Sequence, residues 1–141
     1  MTMTLGADHA LAQLAASIAF ADAGAQSSSI RLYADATAAT GAVPVGGPLA
    51  EVTLAKPCGT IAAGQLTLHV ADPAGAMVLA TGQPRAAHWV NGAGLLVAAG
   101  TVTDMDHGGD FRVGGAPTAP GDDTPTLYAG GLVLLGAVVL D

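Results

Sequence analysis

The stretch Arg85 to Val102, RAAHWVNGAGLLVAAGTV, decides the fold that we predict for this chain. Two apolar runs flank Asn91-Gly92-Ala93-Gly94, and Asn-Gly followed by another Gly supplies the positive-φ positions that a tight β-hairpin turn requires. The first run contains Trp89, the only Trp in the chain and its largest candidate core side chain. We therefore interpret this stretch as the central hairpin of an all-β domain.

Several segments before the hairpin alternate apolar and polar residues with the period of two that is typical of a half-buried strand. Ser29 to Tyr33, Leu49 to Leu54 and Gln65 to Val70 show this alternation most clearly. Ala76 to Ala80 follows the turn residues Asp72 to Gly75 and is a further short strand. We expect one shared core that contains Leu32, Val52, Leu54, Leu66, Leu68 and Trp89.

One helix is predicted ahead of these strands. Apolar residues recur at i, i+3, i+4 and i+7 within Asp8 to Ala23, where Asp8 can act as the N-cap and Gly24 can end the helix. The apolar stripe of this helix consists of Leu11, Leu14, Ala15 and Ile18.

The remaining segments complete the predicted fold. Ala36 to Pro48 is a long loop, and Gly114 to Pro125 lacks core-forming side chains, so we expect an exposed, mobile loop there. Leu132 to Leu140 is apolar on both faces, which fits a central strand covered on both sides or a strand at a subunit interface. The sequence thus predicts a single domain over residues 1–141, an all-β, jelly-roll-like β-sandwich with one short N-terminal α-helix.

Composition limits the classes of partner. The chain of 141 residues has a formal net charge of −7, which leaves too few cations to neutralise a run of phosphates, so no nucleic acid partner is expected. Its longest strongly apolar run, Leu132 to Leu140, is shorter than the ~18 residues of a membrane-spanning helix, so no membrane partner is expected. His9 to Ala23 resembles a signal-peptide core, but no cation precedes it, and we do not expect secretion.

One cluster in the chain has the residue types of a metal site. Asp104, Asp106, His107 and Asp110 alternate with glycines, as in oxygen-rich Ca²⁺ loops. The segment lacks the Gly and the terminal Glu of an EF-hand, and Asp and Gly are also the residues of a plain turn. We interpret it as a loop and predict no metal site, although a small metal-dependent enzyme would have to use these residues.

Catalytic patterns are missing from the sequence. Ser27 to Ser29 and His69 or His88 are residue types of a catalytic Ser-His-Asp triad. However, no Ser lies on a Gly-x-Ser-x-Gly elbow. Cys58 lies in Lys56-Pro57-Cys58-Gly59, which we interpret as a turn with a structural thiol. The glycines Gly41, Gly46 and Gly47 make no phosphate loop. We therefore predict no enzyme, no catalytic residues and no cofactor.

The order of the predicted elements resembles the order found in a known group of proteins. After the helix come Ile30-Arg31-Leu32-Tyr33, Leu49-Ala50-Glu51-Val52-Thr53-Leu54, Gly64-Gln65-Leu66-Thr67-Leu68 and Ala87-His88-Trp89-Val90. This order, over residues 8 to 113, resembles a group of small tailed-phage virion proteins in which a helix precedes strands similar to LRIYDG, LLAELTL, GGVLT and ATWFR. From Gly114 onward the chain departs from that pattern.

The resemblance implies a structural function. Such bacteriophage proteins look like capsid cement (decoration) proteins, which bind the outside of the assembled capsid. It implies the major capsid protein and further copies of this chain, as a homodimer or another symmetric oligomer, as partners. It also implies synthesis in the host cytoplasm and a final location on the capsid exterior of the virion. The alternative is a tail-exterior or receptor-binding virion component.

Overall fold

The computed structural model describes residues 3–140, and over that range the protein is mostly β with one α-helix. The elements in chain order are α1 (Ala7–Ala21), β1 (Ser29–Tyr33), a short 3-10 helix (Ala36–Thr40), β2 (Ala50–Ala62), β3 (Gln65–Val70), β4 (Ala76–Met77), β5 (Ala86–Val90), β6 (Leu96–Asp104), β7 (Phe111–Gly114), β8 (Leu132–Leu135) and β9 (Val139–Leu140).

The strands of the described chain form one curled, nine-stranded sheet with the shape of a half-barrel. Its strand order is β4-β8-β7-β6-β5-β1-β2-β3-β9. The sheet is mixed, because β6 and β7 are parallel while the other neighbours are antiparallel. The predicted all-β class with one N-terminal helix is therefore confirmed, whereas a jelly-roll sandwich is not.

The central hairpin forms as predicted from β5 and β6. All five residues of β5 are buried, and Trp89 is only 1% exposed. The connection is longer than a two-residue turn, because the Asn91 backbone N donates to Leu95 O at 2.9 Å and the Asn91 Oδ1 accepts from the Leu95 N at 2.9 Å. Gly94 has a φ of +86° as predicted, but Asn91 and Gly92, where we also predicted positive φ, do not have it.

The alternating segments also form strands. β1 and β3 have the predicted bounds, and all six predicted core side chains are buried in one cluster. β2 differs, because it continues through Lys56-Pro57-Cys58-Gly59, where we predicted a turn. Its pairing with β3 shifts register between Leu54 and Gly59, and a strand tolerates Pro at such an irregularity.

Helix α1 corrects two details of the prediction. Its N-cap is Gly6, so Asp8 lies in the first turn, and its C-cap is Asp22 rather than Gly24. Leu14 and Ala21 are buried, but Leu11 is 46% exposed. The helix therefore contacts the sheet through a stripe that is narrower than predicted.

The C-terminal third departs most from the sequence prediction. Leu132 to Leu140 is not one strand but β8 and β9, and Leu132 is 56% and Val139 47% exposed, so this chain does not cover both faces. The predicted exposed loop Gly114 to Pro125 ends in buried residues, because Thr124 and Pro125 are both fully enclosed. No helix within residues 3–140 is long and apolar enough to span a membrane.

Candidate interaction surface

Asp104 organises the loop in which we considered a metal site. Its Oδ1 accepts from the backbone N of Asp106 at 3.0 Å and of His107 at 3.1 Å, and it lies 2.6 Å from His107 Nδ1. The hydrogen bond between the two side chains raises the pKa of His107 and lowers the pKa of Asp104. Asp104 thus serves as the anchor of the loop.

Asp110 faces a different partner. Its Oδ2 accepts from the Thr101 backbone N at 3.0 Å, and Gly109 N donates to Thr103 Oγ1 at 3.0 Å. These bonds hold the returning chain beside β6. As a result, β7 can start parallel to β6 after a short connection. Among residues 3–140, no group of three or more His, Cys, Asp or Glu side chains is placed to hold a metal ion.

The candidate catalytic residues are also held in structural contacts. His69 Nε2 is 3.0 Å from Thr60 Oγ1 across β2 and β3. His88 is buried, with Nε2 2.7 Å from Ala38 O and its ring edge-on to Tyr33. Each histidine therefore has a partner that the fold itself supplies.

Cys58 is a buried thiol within β2. Its backbone N donates to Asp22 Oδ1 at 3.1 Å, which ties the strand to the end of α1. Burial, together with the nearby Asp22 carboxylate, raises the pKa of the thiol to about 11. Because the nucleophile of cysteine chemistry is the thiolate, this side chain is unreactive at neutral pH.

One exposed surface of the described chain is apolar. We name the outward side chains of Met77, Leu79, Leu132 and Leu134 the apolar face; they are 62%, 61%, 56% and 40% exposed. Met77 and Leu132 are direct cross-strand partners in β4 and β8, so the face is continuous across the two strands. Inward Val78 and Val133 alternate with these residues and are fully buried.

Only the β8 part of the apolar face was recognised from the sequence. The apolar content of β8 was recognised, but its pairing with β4 is a non-local contact that alternation does not predict. Within Ala76 to Ala80, however, the inward position of Val78 would have placed Met77 and Leu79 outward together. That alternation was the signal available.

A second exposed apolar group lies on the loop after the 3-10 helix. Val43 and Val45 are 89% and 83% exposed. Asp35 holds this loop in place, because its Oδ2 accepts from Val45 N at 3.0 Å and its Oδ1 accepts from Thr37 N at 3.0 Å. These bonds also lower the pKa of Asp35, so the loop is anchored by a carboxylate that is ionised at neutral pH.

Comparison of the chain with protein-family models, curated proteins and solved structures finds no match.

Proposed function

We propose that this protein is a non-enzymatic structural component of a phage virion, an external cement that binds the assembled capsid and bridges neighbouring capsomers. Its partners are the major capsid protein and other copies of the chain. The observation that carries the proposal is the apolar face, since large outward Met and Leu side chains on paired strands are typical of a surface that is covered in an assembly.

The energy available from such a face suits a lattice protein. Full burial of an exposed Leu or Met side chain contributes about 1.5–3 kcal/mol, and the side chains of this face are only 40–62% exposed, so the face supports a modest contact for each copy. Many copies on a regular shell add these contacts through multivalency. A ligand that binds the lattice but not the separated subunits then stabilises the lattice by mass action.

The charge distribution fits the outside of a shell better than its DNA-filled interior. With a net charge of −7 and four Lys and Arg residues in total, the chain has too few cations to bind a phosphate backbone. The exposed Val43 and Val45 give a second apolar contact on an anchored loop, which a bridging protein needs because it touches more than one capsomer.

We also propose that the curled sheet is a variant of the jelly-roll-like β-sandwich. Its neighbouring strands are antiparallel except for β6 and β7. The isolated bridge between Ala50 and Val78 brings the β4 edge back beside β2, which supports a closed, two-sided arrangement.

The test is binding of the purified protein to preformed heads that lack it. The double variant Met77→Ser, Leu132→Ser should bind heads at least about ten-fold more weakly, which is the loss of only ~1.4 kcal/mol of contact energy. The control is Leu95→Ser, because Leu95 is 57% exposed at the hairpin turn and lies outside the apolar face. Unchanged binding of the double variant would refute the assigned surface. Labelled protein found only on tails would replace the cement proposal with a tail-exterior or receptor-binding component.

A further inference from the structure

Strand β6 is paired along both edges over only part of its length in the described chain. On one edge it pairs with β5 from Leu96 to Thr101, but on the other edge pairing with β7 begins at Val102. The Asp110 carboxylate takes the Thr101 N–H on that second edge. Because backbone groups point to alternate edges along a strand, the N–H and C=O of Ala99 face the same edge, where no strand lies.

The C-terminal segment forms the opposite wall of this gap. Gly136 N donates to Arg112 O of β7 at 2.7 Å, and Leu68 N of β3 donates to Val138 O at 3.0 Å. The segment thus crosses from one part of the sheet to the other and ends as β9. Within the described residues β9 is the last strand of the sheet, so its outer edge is also without a strand partner.

Between the two open edges lies a cleft of about 530 Å³, within the range of about 300–1,000 Å³ that binding clefts occupy. It is lined by Ala98 and Ala99 of β6, residues 108–112 and residues 137–140. Most of its side chains are small or apolar, and its two charges, Asp110 and Arg112, are of opposite sign.

A segment of the same chain has the chemistry that this cleft lacks. Residues 3–6 precede α1, and we name them the N-terminal arm. Met3 is 95% and Leu5 52% exposed, with Thr4 between them, and the sequence Met1-Thr2 continues the same alternation. No backbone hydrogen bond joins Met3, Thr4 or Leu5 to the rest of the described chain. The arm therefore has the residue alternation of a β-strand but pairs with no strand of the described chain.

We propose that the N-terminal arm of one copy adds as a strand to the open edge of β6 in the cleft of a second copy. The arm supplies the missing backbone hydrogen bonds, and Met3 and Leu5 supply alternate side chains to the cleft, as in other cases of strand addition. This inference concerns the contact between copies and stands independently of the capsid proposal.

The charge repulsion between two copies does not act at the arm and the cleft. Two chains of net charge −7 repel each other, so they associate through the parts that carry little charge. The arm is uncharged from Met3 to Ala7, and the charges of the cleft balance. Docking these two surfaces buries apolar groups without placing an unpaired charge in the interface.

Thiol cross-linking between two single variants tests the proposal. Purified Leu5→Cys and Ala99→Cys proteins are mixed and oxidised, and disulfide-linked dimers are measured on non-reducing gels and by mass spectrometry. The native thiol of Cys58 does not compete, because it is buried and its pKa is raised to about 11. The mixture should give about ten-fold more mixed dimer than Leu5→Cys with Val43→Cys, since docking raises the local concentration of the paired thiols.

A second change separates strand addition from chance contact. Thr4→Pro in the Leu5→Cys chain removes a backbone N–H and disfavours the edge pairing, so the mixed dimer should fall to the level of the control. Thr4→Val, which keeps the strand propensity, should retain it. Equal cross-linking in the control mixture, or a disulfide that forms only within a chain carrying both Leu5→Cys and Ala99→Cys, would overturn the proposal. The assay contains no capsid, so its failure would leave the head-binding result untouched.

Discussion

At the scale of single residues, Trp89 combines the largest buried side chain with an unsatisfied polar group. It is 1% exposed, and its Nε1 has no hydrogen-bond partner among the described residues. Leaving such a donor buried costs about 1–3 kcal/mol, which the packing of the indole must offset. The side chain therefore contributes through its shape and apolar area.

Truncation of Trp89 should reveal that balance. Trp89→Ala should lower the free energy of unfolding by about 3–5 kcal/mol because it leaves a large cavity in the core. Trp89→Phe should cost clearly less, since it keeps an aromatic ring and removes the unpaired N–H. Urea unfolding followed by circular dichroism measures both variants. A loss below about 1 kcal/mol for Trp89→Ala would mean that the indole is not a core anchor.

His107 should report on the anchoring of its loop. Its pKa is raised above the ordinary value of 6.5, chiefly by the hydrogen bond to Asp104, whose own pKa is lowered. The His107 contribution to stability is therefore complete below pH 6.5 and is lost as pH rises through the raised pKa. The Asp104 contribution is complete above its ordinary value of 3.8 and is lost as pH falls through the lowered pKa.

A titration by NMR of the histidine ring tests this pairing. Asp104→Asn should bring the pKa of His107 down towards 6.5, because it removes the negative charge while the amide oxygen can still accept from the loop backbone. Asp106→Asn is the matched control, because Asp106 acts on His107 only through its charge and is the weakest of the contributors. If the pKa of His107 falls equally in both variants, the shift comes from the summed negative charge of the loop and not from the hydrogen bond to Asp104.

At the scale of elements, residue patterns predicted the strands and the turn that depend only on neighbouring residues. β1 and β3 follow from alternation alone, and the hairpin follows from Gly-rich turn residues between apolar runs. The predicted turn at Lys56 failed because Pro and Gly are typical of turns, whereas here a register shift accommodates Pro57 within β2. No local signal marks such a shift.

Two further elements depended on contacts that the alternation of apolar and polar residues does not predict. The parallel pairing of β6 with β7 requires side-chain bonds from Asp110 and Thr103 that draw the chain back along β6. The division of Leu132 to Leu140 follows from its two strand partners, β7 for the first part and β3 for the second. The candidate metal segment was interpreted as a loop, and its residues between Asp104 and Phe111 form one, but its hydrogen bonds could not be predicted from the sequence.

The contact between the hairpin and the helix connection gives a prediction at this scale. A Cβ at Gly92 would overlap the carbonyl group of Gln26, in the segment that follows α1. Gly92→Ala should therefore destabilise the protein by about 1–3 kcal/mol, because backbone must move to make room. Gly47→Ala is the control, since a Cβ there meets nothing within 4 Å. Equal melting temperatures for the two variants would show that the hairpin and helix connection are not in close contact.

At the scale of the whole molecule, an acidic groove and the apolar face are formed by different residues. The acidic residues Asp104, Asp106, Asp122 and Asp123 surround one shallow groove, whereas the apolar face lies on β4 and β8. A free chain that keeps both surfaces in water carries an aggregation hazard on the apolar side, and covering that side in an assembly removes the hazard.

The loop between β7 and β8 supplies the last test of the cement proposal. Its final residues Thr124 and Pro125 belong to the interior, so removing all of Gly114 to Pro125 would disturb the fold. Replacing the exposed residues 119–121 by Gly and Ser at equal length leaves the buried end in place, and both the Thr118 side chain and the bond from Asp104 N to Asp123 O at 2.7 Å lie outside the replaced part. If the loop touches neighbouring capsomers, this variant should bind heads about ten-fold more weakly, a loss of ~1.4 kcal/mol, while the melting temperature of the free protein changes little. Head binding by sedimentation and thermal unfolding of the free chain measure the two effects separately. Equal loss of binding and of thermal stability would make the loop a part of the fold, and full retention of binding would show that the replaced residues do not contact the shell.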